Sequence, residues 1–170
     1  MTPTPSSTPP APTAAPPWTR GKAVVASGVL FAVSCALPAV VAYNTGTREL
    51  ESMWGLSMLT DGWMGPVANL WGWFANPLLL LSLPLLAKGR YRWAFWLGIA
   101  AVIVGLSTFS WYTNPIPVNE GGSRSRRLEL SYPTLGFFCW MGSLVMVPAS
   151  AALLARKDAK VKAAAASVVT

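Results

Sequence analysis

The stretch TLGFFCWMGSLVMVPASAALL, residues 134–154, is apolar almost throughout and contains no Asp, Glu, Lys or Arg. At 1.5 Å per helical residue it is long enough to cross the ~30 Å hydrocarbon core of a bilayer. A charged side chain at the centre of such a segment is costly, so the absence of charge favours a membrane span. In lipid every backbone N–H and C=O must pair within the segment, and we therefore expect a helix.

Three further stretches have the same character. They are AVVASGVLFAVSCALPAVVAY at 23–43, PVANLWGWFANPLLLLSLPLLA at 66–87 and WAFWLGIAAVIVGLSTFSWY at 93–112. The composition of the whole chain agrees with them. Of the 170 residues, 53% are hydrophobic and only 11% are charged, against roughly a quarter charged in an ordinary soluble domain. The sequence therefore predicts an all-α fold, an integral membrane bundle of four transmembrane helices within residues 20–155.

The basic residues predict the orientation of this bundle. Nine of the 13 Lys and Arg residues, with one of the six acids, fall before the first span, between the second and third, and after the fourth. The other four basic residues and five acids fall in the two remaining loops. By the positive-inside rule both termini face the cytoplasm, and the expected location is a bacterial inner membrane crossed several times.

The two ends of the chain are predicted to be cytoplasmic tails. Residues 1–19, MTPTPSSTPPAPTAAPPWT, contain seven prolines and are typical of a disordered or polyproline-II segment. Residues 156–170 are basic and then Ala-rich. We expect them to continue the last helix and fray, with the lysines near anionic lipid headgroups.

The first outer loop, residues 44–65, carries an amphipathic pattern. Leu50, Met53, Trp54 and Met58 fall at i, i+3, i+4 and i+8, the spacing of one helix face. We therefore predict a short amphipathic helix lying in the outer membrane interface.

The second outer loop, residues 113–133, contains Pro115, Pro117, Gly121 and Gly122 and is predicted to be irregular. It is either a solvated loop or a contact site for a partner. The polar and charged residues that would make such a contact are Asn119, Glu120, Arg124, Arg126 and Arg127.

The chain lacks most of the residues on which catalysis depends. It has no His, and its two cysteines, Cys35 and Cys139, form no C-x-x-C motif. Imidazole catalysis, a His-ligated metal and a cysteine zinc site are therefore not predicted, and we expect no cofactor and no enzymatic activity. The net charge of +7 does not predict nucleic-acid binding, because no basic run alternates with aromatic residues that could stack on bases.

Polar residues in the second span are the best candidates for a site. Asn69 and Asn76 are seven residues apart and would share one helix face with Gly72 between them, and Pro77 would free a backbone carbonyl. An amide in lipid needs partners, so these residues either bond to a neighbouring helix or line a polar path. The first possibility fits a non-enzymatic structural or interaction module, or an accessory subunit, that packs on other membrane proteins or on itself. The second fits an oligomeric small-solute channel or facilitator.

The first span leaves two processing alternatives open. Val40-Val41-Ala42 is compatible with signal cleavage, and the residues before Cys35 faintly resemble a lipidation motif. An uncleaved anchor is the simplest interpretation, because the apolar run has the length of a span and continues past Cys35. The redox state of Cys35 and Cys139 does not follow from the sequence.

The combination ANLWGWFANPLLLL at 68–81, KGRYR at 88–92 and NEGG at 119–122, with Leu37-Pro38 upstream, resembles a group of small four-span bacterial membrane proteins of uncharacterised function. The resemblance covers residues 68–122. It implies the four-span topology and no functional residue.

Overall fold

The computed structural model describes residues 18–117 and 127–169, which are mostly helical. The α-helices are α1 Arg20–Ala36, α2 Gly55–Asp61, α3 Ala75–Ala87, α4 Tyr91–Leu106 and α5 Leu135–Val169. Short 3-10 helices cover Gly62–Ala68, Gly72–Phe74 and Ser107–Tyr112. The strands are β1 Pro38–Asn44, β2 Glu49–Trp54, β3 Ile116–Pro117 and β4 Arg127–Pro133.

The four long helices form a bundle. Helix α5 packs against α1 and α4, α4 packs against α3, and α3 also contacts α1 and α5. A stripe of glycine and alanine residues on α4 faces α5. Gly98 and Gly105 lie against Pro148 and Leu144, and Ala101 is fully buried. These small residues let the two backbones approach closely, so this stripe makes a contact within the chain.

The first predicted span, 23–43, is wrong as one continuous helix. Helix α1 ends at Ala36, and the next residue, Leu37, is extended with φ −112° and ψ 155°. Steric conflict with a following proline disfavours the helical conformation, and Leu37 precedes Pro38. The β-branched residues Val40 and Val41 then continue as strand β1.

The second predicted span, 66–87, is also interrupted. A 3-10 helix ends at Asn69, which has the left-handed φ of 58°, and a second short 3-10 helix precedes α3. Helix α3 itself covers only Ala75–Ala87. Pro77 falls in its first turn, where no backbone N–H is needed, so this proline is compatible with the start of a helix.

The predicted all-α class is wrong because the described loops form an antiparallel sheet. Its strand order is β2-β1-β4-β3, with β1 between β2 and β4. Val41 pairs with Ser52 on one side and with Tyr132 on the other. Val40 and Ala42 are completely buried, which gives β1 the apolar run typical of a central strand.

Both outer-loop predictions are corrected by this sheet. Leu50, Met53 and Trp54 lie on strand β2, and only Met58 lies on a helix, the short α2. Pairing with β1 satisfies the backbone of 49–54, and this outweighs a helical pattern of four residues. The end of the second loop, predicted to be irregular, forms β4 for the same reason.

Two of the predicted spans are confirmed as helices long and apolar enough to cross a membrane, namely Tyr91–Tyr112 and Leu135–Ser167. The apolar helix Gly72–Ala87 is shorter. Helix α5 runs on through most of the predicted C-terminal tail. At that end the Arg20 guanidinium donates to Tyr91 Oη at 2.5 Å and pairs with Asp158 at 3.1 Å, which ties α5 to α1 and α4.

The sheet is fixed to the opposite end of the bundle by polar and apolar contacts. Trp111 is 1% exposed, and its indole Nε1 donates to the Leu128 carbonyl at 3.0 Å. The Thr134 hydroxyl donates to the Pro38 carbonyl, where the last strand meets α5. The sheet therefore forms a cap over the ends of α1, α3, α4 and α5, and we call this assembly of β1–β4 and α2 the cap.

A buried hydroxyl joins two helices and allows a first prediction. Ser27 Oγ on α1 donates to the Ser143 carbonyl on α5 at 2.9 Å, and Ser27 is fully buried. Ser27→Ala is expected to lower the free energy of unfolding by about 0.6–1 kcal/mol, the usual value of one interhelical hydrogen bond in a membrane bundle. The measurement is denaturant unfolding of the purified protein in micelles.

Ser82→Ala is the matched control for this prediction. Ser82 is also fully buried, but its hydroxyl donates to Leu79 within its own helix at 2.7 Å. It therefore joins no two helices, and its loss is expected to change the stability by less than that of Ser27. An equal effect of the two substitutions would contradict the interhelical role of Ser27.

A candidate binding cavity between bundle and cap

A cavity of about 310 Å³ lies where the helix bundle meets the cap. Its walls come from the last residues of α1, from β1, β2 and β4, from residues 55–76, from the 3-10 helix Ser107–Tyr112 and from the start of α5. Most of the lining is apolar and aromatic. The cavity has two structural causes. Helix α1 ends at Ala36, just before Pro38, and residues 62–74 contain only short 3-10 helices. The helices therefore do not fill the space beneath the sheet.

Asn76 is a buried polar residue in the wall of this cavity. It lies on the first turn of α3 and is 7% exposed. Trp140 on α5 donates its indole N–H to Asn76 Oδ1 at 2.8 Å. An indole N–H can only donate, so this bond assigns the carbonyl oxygen of the amide to Trp140 and turns the NH₂ group the other way.

Gly72, the second predicted residue in the cavity wall, allows a close approach. It is buried against Thr108, and a Cβ at this position would overlap the Thr108 side chain. The two 3-10 helices that carry these residues can therefore lie in contact only with glycine at 72. This contact closes one side of the cavity.

The other two predicted residues of the second span lie elsewhere. Asn69 is exposed and ends a 3-10 helix, and Pro77 is half-buried in the first turn of α3; neither lines the cavity. The prediction that Asn69 and Asn76 share one helix face is wrong, because no helix covers both residues. Left-handed Asn69 instead caps the first 3-10 helix, where its backbone N–H donates to the Pro66 carbonyl at 3.1 Å.

Trp140 and the sulfur-containing residues of the cavity were not predicted as site residues. The structure places Trp140 beside Asn76. Cys35, Met53 and Met58 also line the cavity. Thioether and thiol side chains adapt to varied apolar ligands. The seven-residue spacing of Asn69 and Asn76 in the sequence carries no signal that would have identified these neighbours.

The side chains that line the cavity supply groups for binding a ligand. Both cysteines are free, and Asp61 is an exposed carboxylate at the edge of the cavity that accepts a hydrogen bond from Thr60 at 3.0 Å. Among the described residues no group of three or more His, Cys, Asp or Glu side chains could hold a metal ion. The arrangement can enclose an apolar molecule and donate a hydrogen bond to it from Asn76.

The predicted outer-loop contact residues are only partly described. Asn119, Glu120, Arg124 and Arg126 lie outside the described residues. Arg127 begins β4 and is exposed, and its backbone N–H donates to Thr45 Oγ1 at 2.8 Å. Its main chain therefore connects the start of β4 to Thr45, which is 82 residues away in the sequence.

The comparisons with known proteins add no family to this description. No protein-family model matches the chain, and neither the curated proteins nor the solved structures contain a significant match to it.

Proposed function

We propose that the chain is a four-span protein of the cell membrane, with both termini in the cytoplasm and the cap outside, and that it acts as a non-enzymatic interaction module or accessory subunit. The observation that carries the membrane part is the inverted polarity of the bundle. Large apolar side chains are exposed on all four helices, and the buried residues of α1 and α4 are all small or hydroxylated.

Helices α1 and α3, which are shorter than the apolar segments Tyr91–Tyr112 and Leu135–Ser167, also expose large apolar residues beside buried serines. On α1, Val25 and Val29 are 64% and 54% exposed, while Ser27 between them is fully buried. On α3, Leu80 and Leu81 are 55% and 59% exposed, and Ser82 is fully buried. Contiguous apolar surface of this kind is rare on soluble monomers, and hydroxylated and small residues at helix contacts are typical of membrane bundles.

The helix lengths are compatible with this proposal. Helix α1 has 17 residues and is about 26 Å long. Helix α3 has 13 residues, about 20 Å, and the 3-10 helix Gly72–Phe74 adds about 6 Å. Both values are close to the ~30 Å hydrocarbon core, and a bilayer adapts to differences of a few ångströms.

The interaction part of the proposal is supported by strand β2. It pairs with β1 on one side and forms the edge of the sheet, and Glu49 through Ser52 are exposed. An unpaired strand edge is a template for a strand from another chain. The exposed Trp54 and Leu56, 53% and 57%, provide apolar contacts next to this edge.

The interior of the bundle gives no particular support to the alternative, a channel lined by the second span. Leu79, Leu86, Leu144 and Val147 are completely buried below the cavity. These apolar side chains fill the space in which a polar path through a single bundle would have to run.

Photo-crosslinking in living cells tests the interaction proposal. A photoreactive amino acid replaces Ser52 on the edge strand, and the matched control replaces Phe138, which is 59% exposed on α5. We expect a discrete protein adduct from position 52 and only lipid adducts from position 138. The proposal fails if position 52 yields no protein adduct, or if both positions yield the same one.

A further inference from the structure

We propose that the cavity between bundle and cap binds a small neutral molecule with an apolar, ring-sized body and one acceptor oxygen, such as an aryl ketone, which Asn76 recognises with its amide NH₂ group. The proposal depends on the proposed function only for the route of the ligand, which would enter from the outer half of the bilayer.

The first argument is an unused hydrogen-bond donor on a buried side chain. Only 7% of Asn76 is exposed. Its Oδ1 already accepts a hydrogen bond from the Trp140 indole. Within the described part of the chain, Asn76 Nδ2 has no acceptor. The one fully enclosed side-chain polar atom without a partner among these residues is Ser110 Oγ. The protein therefore does not fully enclose Asn76 Nδ2, and the free space beside this atom is the cavity that Asn76 lines.

An unused amide donor in apolar surroundings favours a ligand that can accept from it. A polar group that loses contact with water needs a partner in exchange, and a pocket with one convergent polar group orients its ligand through that group. An amide N–H donates, so the complementary atom is a carbonyl, ether or hydroxyl oxygen.

The charge around the cavity favours a neutral ligand over an anion. Asp61 is the charged residue of the described lining, and Lys and Arg do not occur there. A carboxylate or phosphate would be repelled by Asp61 and would find no cation to pair with. A cation would approach Asp61 at the exposed edge but would meet only apolar and aromatic walls deeper inside.

The size and the lining favour a small ring over a whole lipid. A volume of about 310 Å³ is at the lower end of the range of ligand pockets. Trp73, Trp111, Phe137 and Trp140 contribute aromatic walls, which suit a flat apolar body. A phospholipid would exceed this volume and leave its headgroup without partners.

Binding of two matched compounds tests the proposal. The full chain in detergent micelles is titrated with 4-bromoacetophenone, and with 4-bromoethylbenzene, which has a similar shape without the carbonyl. Bromine quenches the tryptophans that line the cavity, and binding appears as a saturable component above the linear quenching by compound dissolved in the micelle. We expect the ketone to saturate at an about fivefold lower concentration than the hydrocarbon, the contribution of one such hydrogen bond.

Two variants separate recognition from a purely structural role of Asn76. Asn76→Leu removes the donor, and the ratio between the two compounds is expected to fall to about one. Trp140→Phe breaks the same interhelical bond but keeps the donor, and the ratio is expected to persist. A ratio near one in the wild-type chain, an unchanged ratio in Asn76→Leu, or equal losses in both variants would overturn the proposal.

The test stands apart from the membrane proposal and from lipid binding. The comparison of the two compounds in the wild-type chain tests recognition of the carbonyl oxygen even if a variant does not fold. Absence of any saturable quenching would overturn the cavity ligand while leaving the topology untouched. Phosphatidylcholine added to the micelles must not compete with the ketone, because competition would assign the site to a lipid ester and contradict the small-molecule proposal.

Discussion

Gly98→Val is expected to destabilise the folded protein by about 3 kcal/mol, the upper part of the usual range for overpacking a well-packed core. Gly98 is buried where α4 crosses α5, and a Cβ at this position would overlap the ring of Pro148. A proline ring cannot rotate away, so the two helices would have to separate. Thermal unfolding of the purified protein in micelles measures the loss.

Gly28→Val on α1 is the matched control for this substitution. A Cβ at Gly28 meets nothing within 4 Å, so the same change of residue type creates no overlap there. We expect the control variant to unfold close to the wild-type temperature. Equal destabilisation by the two substitutions would contradict the close α4–α5 contact, because valine is a better helix former than glycine and the change of residue type alone does not destabilise a helix.

Trp111→Ala is expected to lower the free energy of unfolding by about 3–5 kcal/mol, the range found for buried aromatic residues replaced by alanine. Trp111 lies in the apolar cluster beneath the sheet, with Val40 and Leu130. Its loss removes the contact between the 3-10 helix Ser107–Tyr112 and β4. Hydrogen exchange should therefore accelerate most in β1 and β4, while α4 and α5 remain protected.

Two further variants provide comparisons for the effect of Trp111→Ala. Trp111→Phe keeps most of the apolar volume but leaves the Leu128 carbonyl without its indole donor, and we expect a smaller loss of about 1 kcal/mol. Trp93→Ala removes a tryptophan that is 65% exposed and should have little effect on the sheet. A uniform response of all amides to Trp111→Ala would show that cap and bundle do not unfold separately.

The helices of the bundle could be predicted from the sequence and the cap could not. Long runs without charge correctly located α4 and α5, because a continuous apolar segment has few other stable conformations in lipid. The paired residues Val41 of β1 and Tyr132 of β4 are 91 residues apart along the chain, and the two strands stabilise each other only as a pair. Local periodicity carries no information about such distant pairing, and it therefore suggested a helix at Leu50–Met58 and an irregular loop at Arg127–Pro133.

The sequence predicted only that part of the candidate site which depends on residues close together along the chain. Asn76 was identified because an amide in an apolar run needs a partner, and the structure supplies Trp140 at 2.8 Å. The identity of that partner depends on how α3 and α5 cross, which sequence spacing does not determine. The cavity itself depends on the early end of α1 at Pro38, which the apolar run through residue 43 concealed.

The most direct test of the account is the accessibility of single cysteines in intact cells. Cys35 and Cys139 are first replaced by serine, and then Glu129→Cys on β4 or Lys160→Cys on α5 is introduced. A membrane-impermeant maleimide added from outside is expected to label position 129 in intact cells and position 160 only after lysis. Labelling of position 160 in intact cells, or protection of position 129, would contradict a membrane protein whose cap faces outward and whose termini face the cytoplasm.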